Sequence, residues 1–281
     1  MKLSIFVCTI NPEYWCFPYL EALESYCAYA DEVIVIDSGS TDESLEQIKR
    51  FNDNGHPYQG KVKLLYSKWP WKFTQREYPI HYNQGFDACS GDWVLKMDID
   101  HILHENYAKE LRHRLSEASD NVQMATFQRW NFLNRTTYYD KGKMPTAIKK
   151  KFPIKVGVPL GETNTDWTVP IEVKEYHDGV PYGTRIDPSK ILNTGIPIYN
   201  YDCFFRPKDK CKIWYQRIAR ANPSIYGLDD DDAWEHWKNI RLRQRDEAVL
   251  QTTSNHPIYI RQKLNSMTPD MWGCNNWGWK L

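Results

Sequence analysis

The feature that most constrains this chain is the alternation in its first 120 residues. Short apolar runs at residues 3–8, 33–36, 62–66 and 93–97 are separated by amphipathic stretches at 14–29, 41–51, 76–89 and 104–119. The runs read as strands and the stretches as helices, so the order βαβαβαβα predicts an α/β fold with a mostly parallel sheet. Asp42 and Glu43 suit a helix start, and Asn11, Pro12 and Glu13 mark the one before it. Sheets of this kind bind ligands beyond the carboxyl ends of their strands. Thr9 to Asn11 follow the first strand, Asp37 to Asp42 the second, and Asp98 to Asp100 the fourth. All three clusters are polar and two carry paired carboxylates, so they would converge on one pocket.

Past residue 120 the pattern loosens. Residues 126–132 read as one more strand, 149–182 as irregular or short-strand structure, and 207–221, 231–251 and 257–266 as helices. This divides the chain into a nucleotide-type domain over 1–203 and a helical C-terminal region over 204–281. The acidic run 229–232 is expected to be a solvated helix start. With 41% apolar residues in 281, the chain can bury a substantial core and disorder is not the default reading. Lys plus Arg equals Asp plus Glu at 36 each, so no global field draws the chain to nucleic acid or an anionic membrane. The seven cysteines are odd in number and form no CxxC pair, against a structural zinc or a disulfide framework. No stretch approaches the roughly 20 apolar residues of a transmembrane segment, and the first apolar run is too short for a signal peptide. The expected location is the cytoplasm.

Two carboxylates at i and i+2 after a strand can share a hard divalent cation, and Asp98 and Asp100 would suit Mn²⁺ or Mg²⁺. Such a pair alone is equally a pair of loop aspartates. The stretch from Asp37 through Ser38, Gly39 and Ser40 to Asp42 adds a strand-end carboxylate and a small-residue turn, able to hold a base and ribose. A helix cap explains Gly39 and Asp42 but gives Asp37 no role. The eight histidines show no ligand spacing. Trp69, Trp71, Trp130, Trp167, Trp272, Trp277 and Trp279 could stack on sugar or base, although most aromatics belong to the core.

Residues 3–11, residues 33–42, and the run from Asn83 and Gly85 through Gly91 to Asp98 and Asp100 resemble, in order and spacing, the signature blocks of glycosyltransferase family 2. The resemblance covers roughly residues 1–120. It implies a GT-A, Rossmann-like fold, a mostly parallel mixed sheet flanked by helices, and inverting transfer from a nucleotide-sugar, a UDP-sugar above all, to a hydroxyl. Carried over by position, Thr9 and Asn11 would line the nucleotide pocket and Asp37 would contact the base. Ser38, Gly39 and Ser40 would shape the loop, Asp98 would face ribose and metal, and Asp100 would be the principal metal ligand. Arg76 would contact the donor, or equally be a surface charge.

The chain departs from the family pattern twice. No clean copy of the acidic pair that supplies a general base is present; Glu162 and Asp166 are the nearest candidates and Asp178 the next, with Asp166, beside Trp167, favoured. A retaining reaction stays open. Where relatives place a histidine that completes the metal site, this chain has Asn200, with Asp202 as the other substitute. Arg206, Lys208 and Lys210 would reach the diphosphate or form a basic first helical turn. The expected acceptor is a glycan or other hydroxyl; the alternative is a hydroxymethylated base in viral DNA, in the host cytoplasm. Two rivals remain. A nucleotidyltransferase would need a Gly-rich basic loop that residues 9–12 lack, and a catalytically inactive nucleotide-sugar-binding module would hold no metal.

Overall fold

The structure is a computed structural model that describes residues 1–68, 78–161, 169–221, 230–247 and 250–279. Trp69, Trp71, Arg76, Glu162, Asp166 and Trp167 lie outside the described residues.

The first half follows the alternation of the sequence. Strand β1 (Leu3–Thr9) leads to α1 (Tyr19–Tyr29), β2 (Glu32–Asp37), α2 (Ser44–Lys49), β3 (Val62–Tyr66), α3 (Tyr78–Ala88) and β4 (Trp93–Met97). The strands pair in parallel in the order β3-β2-β1-β4. Every residue of β2 is buried, as expected of a strand covered on both faces. Val33 and Val35 join Leu23 and Tyr26 of α1, while Ile34 and Ile36 join Tyr82 and Phe86 of α3, so the strand's two-residue period feeds two cores. Helix α3 sits so close to the sheet that a Cβ on Gly85 would stand 2.7 Å from Phe6.

The second half turns the sheet mixed. It contributes β5 (His101–Leu103), α4 (Ala108–Ser116), β6 (Met124–Phe132), β7 (Thr137–Lys149), β8 (Ile154–Pro159), β9 (Val169–His177), β10 (Val180–Arg185) and β11 (Ile191–Asn200). Then come α5 (Lys208–Ala221), α6 (Asp230–Glu247), β12 (Leu250–Thr252), α7 (Arg261–Asn265) and α8 (Trp272–Asn275). The main sheet runs β3-β2-β1-β4-β7-β6-β11-β5, with β12 along β7. Strands β8, β9 and β10 each pair with the other two in a small second sheet. Asn83 of α3 clasps that sheet, donating to and accepting from the backbone of Val156.

The α/β class and the helix-flanked mixed sheet are those expected, and the differences are local. The helix placed at 104–119 opens with a 3-10 turn at Glu105–Tyr107, capped by His104, and is α-helical over Ala108–Ser116. In the region 149–182 the short-strand alternative holds, with β8, β9 and the start of β10. The helix placed at 231–251 ends at Glu247, and Leu250–Thr252 pairs with β7. The C-terminal segment shares the main core: Phe204, Phe205, Ile260 and Leu264 belong to the same cluster as β1 and α1.

Candidate active site

The loops after β1 and β2 form one hydrogen-bonded unit. Asp37 is fully buried and accepts from the amides of Gly39 at 3.0 Å and Ser40 at 3.1 Å. Gly39 completes the turn at φ +100°, where a side chain would be strained. Asn11, itself at φ 47°, accepts from the amides of Thr41 at 2.6 Å and Asp42 at 3.3 Å, and its own amide donates to Ser40 Oγ at 2.8 Å. Asp42 accepts from the amides of Tyr14 and Ser44, which fixes the entries to both following helices. Thr9, Asn11, Asp37, Ser38, Gly39 and Ser40 are thus brought together as the sequence predicted. Asp37 and Asn11 shape the loops with oxygens that the sequence reading had assigned to ligand. The hydroxyls of Thr9 and Ser38 are buried without a hydrogen-bond partner among the described residues. Such orphaned groups are uncommon in folded chains.

Asp98 and Asp100 follow β4, the neighbour of β1. The turn is fixed by Tyr26, whose hydroxyl reaches the carbonyls of Asp98 at 2.6 Å and His101 at 2.7 Å, and by the amide of Tyr201, which donates to the carbonyl of Asp100 at 3.0 Å. One ligand atom from each of Asp98, Asp100 and His101 lies within 4.8 Å of the others, near enough to converge on one cation. His101 was not singled out in the sequence. Its Nδ1 accepts from the amide of Asp98 at 3.3 Å, so in the neutral ring the proton sits on Nε2, 3.7 Å from Asp98 and 4.0 Å from Asp100. In that tautomer Nε2–H of His101 faces the two carboxylates.

Electrostatics separate the two aspartates. Burial, then the charges of Asp202 and Asp98, push the Asp100 carboxyl up to about 8. Burial also works against ionisation of Asp98, but Lys96, His101, Arg129 and Lys141 outweigh it and hold that carboxyl below the usual range. Burial, with Arg129 and Lys96, pushes His101 down to about 4, so the ring is neutral at pH 7. Two hard carboxylates, one of which lacks compensation, fit Mg²⁺ or Mn²⁺ in place of a proton.

Beside the carboxylates opens a cavity of about 300 Å³. Its wall is a network of side chains from distant parts of the chain. Asn200 donates to Asn131 at 3.0 Å, and Asn131 and Gln244 each donate to the Tyr139 hydroxyl at 2.8 Å. Arg241 donates to Gln244 at 3.1 Å and pairs with Asp202 at 2.8 Å, and Tyr215 donates to the same carboxylate at 2.9 Å. Burial opposes ionisation of Asp202, yet Arg241 and Arg206 hold it below the ordinary range. Arg129, Lys141, Trp237 and Ile240 complete the lining. None of Arg129, Tyr139, Lys141, Tyr215, Trp237, Arg241 and Gln244 was singled out in the sequence, where no local pattern connects them.

The remaining candidates divide. Asn200 lines the cavity but already engages both ends of its amide, since its oxygen accepts from the amide of Asp202 at 2.8 Å. Arg206 is buried, donates to the carbonyl of Trp15 at 2.9 Å and lies over Phe17 and Trp214. Lys210 donates to the carbonyl of Tyr14, and Lys208 is exposed. Asp178 sits in the turn between β9 and β10.

Strand-end loops with unpaired buried hydroxyls, a carboxylate pair suited to a cation and an adjoining polar cavity define an α/β domain of the nucleotide-binding class. The chain belongs to glycosyltransferase family 2: the profile described as "Glycosyl transferase family 2" matches residues 4–162, more than half of its length. It is 26% identical over 151 residues to the lipopolysaccharide core biosynthesis glycosyltransferase LpsC of Rhizobium meliloti (strain 1021), an alignment covering 54% of this chain and 48% of that protein. The chain therefore spans about half the length of that relative. Among solved structures, the mannosyltransferase PcManGT from Pyrobaculum calidifontis, in complex with GDP-Man and Mn²⁺, aligns with TM-score 0.43 and 16% identity over 94% of this chain and 68% of its own. TarS 1–349 of S. aureus aligns with TM-score 0.41 and 15% identity over 66% of this chain and 60% of its own. Among the described residues no helix is long and apolar enough to cross a membrane.

Proposed function

We propose that this chain transfers a sugar from a nucleotide-sugar, a UDP-sugar in this reading, to a hydroxyl acceptor, with Mn²⁺ or Mg²⁺ held by Asp98 and Asp100. The observation that carries the reading is the position of the two carboxylates, at the end of β4 and on the rim of a polar cavity, with Asp100 pushed up to about 8. Family membership supports sugar transfer. The name of the relative LpsC favours a glycan acceptor over a hydroxymethylated DNA base, and a net charge of zero points the same way.

The bound cation would offset the charge that develops on the departing diphosphate. The hydroxyls of Thr9 and Ser38 would meet the nucleoside, and the loop held by Asp37 and Asn11 would fix its orientation. His101 would face both carboxylates with Nε2–H, from 3.7 Å at Asp98 and 4.0 Å at Asp100. Inverting transfer needs a base that takes the proton of the acceptor hydroxyl as it attacks the anomeric carbon. In this reading the base is Asp166, with Glu162 nearby, both outside the described residues. A second reading assigns it to Asp202, which lines the cavity and is held ionised by Arg241.

The test is thermal stability against UDP, GDP and their sugars, with and without Mn²⁺. A ligand at 100 times its dissociation constant should stabilise by about 2.7 kcal/mol. A cation-dependent shift and cation-dependent donor turnover, both lost in Asp100→Ala, are expected. No shift with any nucleotide would overturn the reading. Comparing Asp166→Asn with Asp202→Asn assigns the base: the true one loses transfer by about 10²- to 10⁴-fold while its nucleotide-induced shift persists.

A further inference from the structure

The loop between β1 and α1 is held in shape from outside. Asn11 and Cys16 both lie in the left-handed region, at φ 47° and 56°, a conformation that residues with side chains keep only where surrounding contacts over-determine it. Within the loop, the amides of Trp15 and Phe17 donate to the carbonyls of Asn11 at 3.1 Å and Pro12 at 3.0 Å. The carbonyls of Tyr14 and Trp15 are taken by the C-terminal segment. Lys210 donates to the first at 2.7 Å and Nε of Arg206 to the second at 2.9 Å, across 196 and 191 positions of the chain.

Arg206 is the more deeply built in of the two. It is 1% exposed, and its guanidinium lies over Phe17 at 4.8 Å and Trp214 at 4.9 Å, one ring from the loop and one from α5. Its amide donates to the carbonyl of Cys203 at 2.8 Å, and its carbonyl accepts from the amide of Trp272 at 3.1 Å, so its backbone is fixed too. Nη1 and Nη2 are buried with no hydrogen-bond partner among the described residues. A charge so enclosed is costly, and an apolar side chain of similar length would fill the same space. What the guanidinium alone supplies is the bond to Trp15 and a flat cation between two rings.

The bond to Trp15 leads on to the nucleotide loops. The Trp15 amide holds the carbonyl of Asn11, the Asn11 amide donates to Ser40 Oγ at 2.8 Å, and the Asn11 side chain accepts from the amides of Thr41 and Asp42. We propose that Arg206 is a positioning residue for the donor: by holding Trp15 it keeps Asn11 and the loop after β2 in the arrangement that receives the nucleoside, and it does not itself touch the diphosphate. The assignment rests on the glycosyltransferase reading above. A site whose binding-competent arrangement is only partly populated loses affinity by that fraction, so loosening the loop acts on every ligand that contains the nucleoside. A direct contact with phosphate would act on the diphosphate alone.

The experiment is calorimetric titration of the full chain with UDP and GDP in the presence of Mn²⁺, followed by displacement of whichever binds by its parent nucleoside, uridine or guanosine. Arg206→Met should weaken diphosphate and nucleoside by the same factor, about 10-fold or more. Arg206→Lys, which keeps the charge and a donor but not the flat face, should show the same uniform loss on a smaller scale, and it carries the comparison where the Met variant does not fold. Glu32→Gln serves as the control for stability, because it removes the charge that Ser4, Ser90 and Lys63 bond to at the opposite end of the strands. It should bind both ligands as wild type does. A loss confined to the diphosphate overturns the proposal, since Arg206 would then touch the phosphates. Unchanged affinity in both Arg206 variants overturns it as well, and so does an equal loss in Glu32→Gln. Failure of the glycosyltransferase reading is seen separately, as wild-type protein that binds neither nucleotide.

Discussion

Two carboxylates at opposite ends of the same parallel strands are treated in opposite ways. Glu32 opens β2 at the amino end of the block, where it accepts from Ser4 Oγ at 2.7 Å, the Ser90 amide at 2.5 Å, Ser90 Oγ at 2.6 Å and Lys63 at 2.9 Å. Burial opposes its ionisation, but the hydrogen bonds from Ser4, Ser90 and Lys63 outweigh it and hold the carboxyl down to about 2. Asp100, at the carboxyl end, is equally enclosed but faces two more carboxylates and is pushed up to about 8. One end of the sheet has its charge compensated by the chain itself, and at the other Asp100 lacks such compensation. Strongly displaced groups of the second kind gather at functional sites.

The largest expected effect breaks the second end. Asp100→Asn should lower cation-dependent donor turnover by about 10³-fold, the scale on which loss of one charge-stabilising group in a site falls. The metal-free variant should melt no lower than wild type at pH 7, because a neutral Asn avoids the cost of proton uptake on folding that a carboxyl pushed up to about 8 carries there. A lower melting temperature would mean that Asp100 is a structural carboxylate like Glu32.

Glu32→Gln should do the reverse. A carboxyl held at about 2 against an ordinary 4.5 corresponds to about 3 kcal/mol of folding stability. The folded value is the lower one, so this stabilisation is complete above pH 4.5 and disappears as pH falls from 4.5 through 2. Urea unfolding should therefore show the variant about 3 kcal/mol less stable at pH 7 and nearly equal to wild type at pH 2. Turnover per folded molecule should be unchanged, and a gap independent of pH would refute the account.

A third change tests the ion pair in the cavity wall. Arg241 is buried while Asp202 is about one-third exposed, with side-chain exposures of 5% and 32%. Breaking a fully buried pair costs about 3–5 kcal/mol, and solvent at Asp202 reduces this to about 2–3 kcal/mol for Arg241→Met. Chemical denaturation with wild-type slope is the measurement.

This contrast also explains what could be read from the sequence. Asp37 bonds to amides 2 and 3 residues away and Asn11 to amides 30 and 31 residues away, and local composition announces both loops. Even there the pattern cannot show that Asp37 also accepts from the amides of Gly39 and Ser40. The cavity wall is different. Tyr139 and Gln244 meet across 105 positions, and Asn131 and Asn200 across 69. Pairings of that range decide where β5, β7, β11 and β12 lie, and neither hydropathy nor spacing near Arg129 or Arg241 carries a trace of them. Asn83 and Gly85 are an intermediate case, visible as part of a family block, yet occupied with β8 and the packing of α3 rather than with ligand.

The smallest effect probes the long-range network at one atom. The Tyr139 hydroxyl accepts from both Asn131 and Gln244, so Tyr139→Phe leaves two amide donors without that partner while keeping the ring. Both donors line the cavity, where water can reach them, so the cost should be about 1 kcal/mol rather than the full penalty of two buried orphans. Asn131 also accepts from Asn200, and Gln244 from Arg241, so the loss should spread along the wall toward Asp202. Arg241→Met combined with Tyr139→Phe should then cost less than the sum of the two single changes, by about 0.5 kcal/mol or more in a double-mutant cycle. Strict additivity would mean that the two halves of the wall are held independently, and that the cavity is no more cooperative than the loops at the ends of β1 and β2.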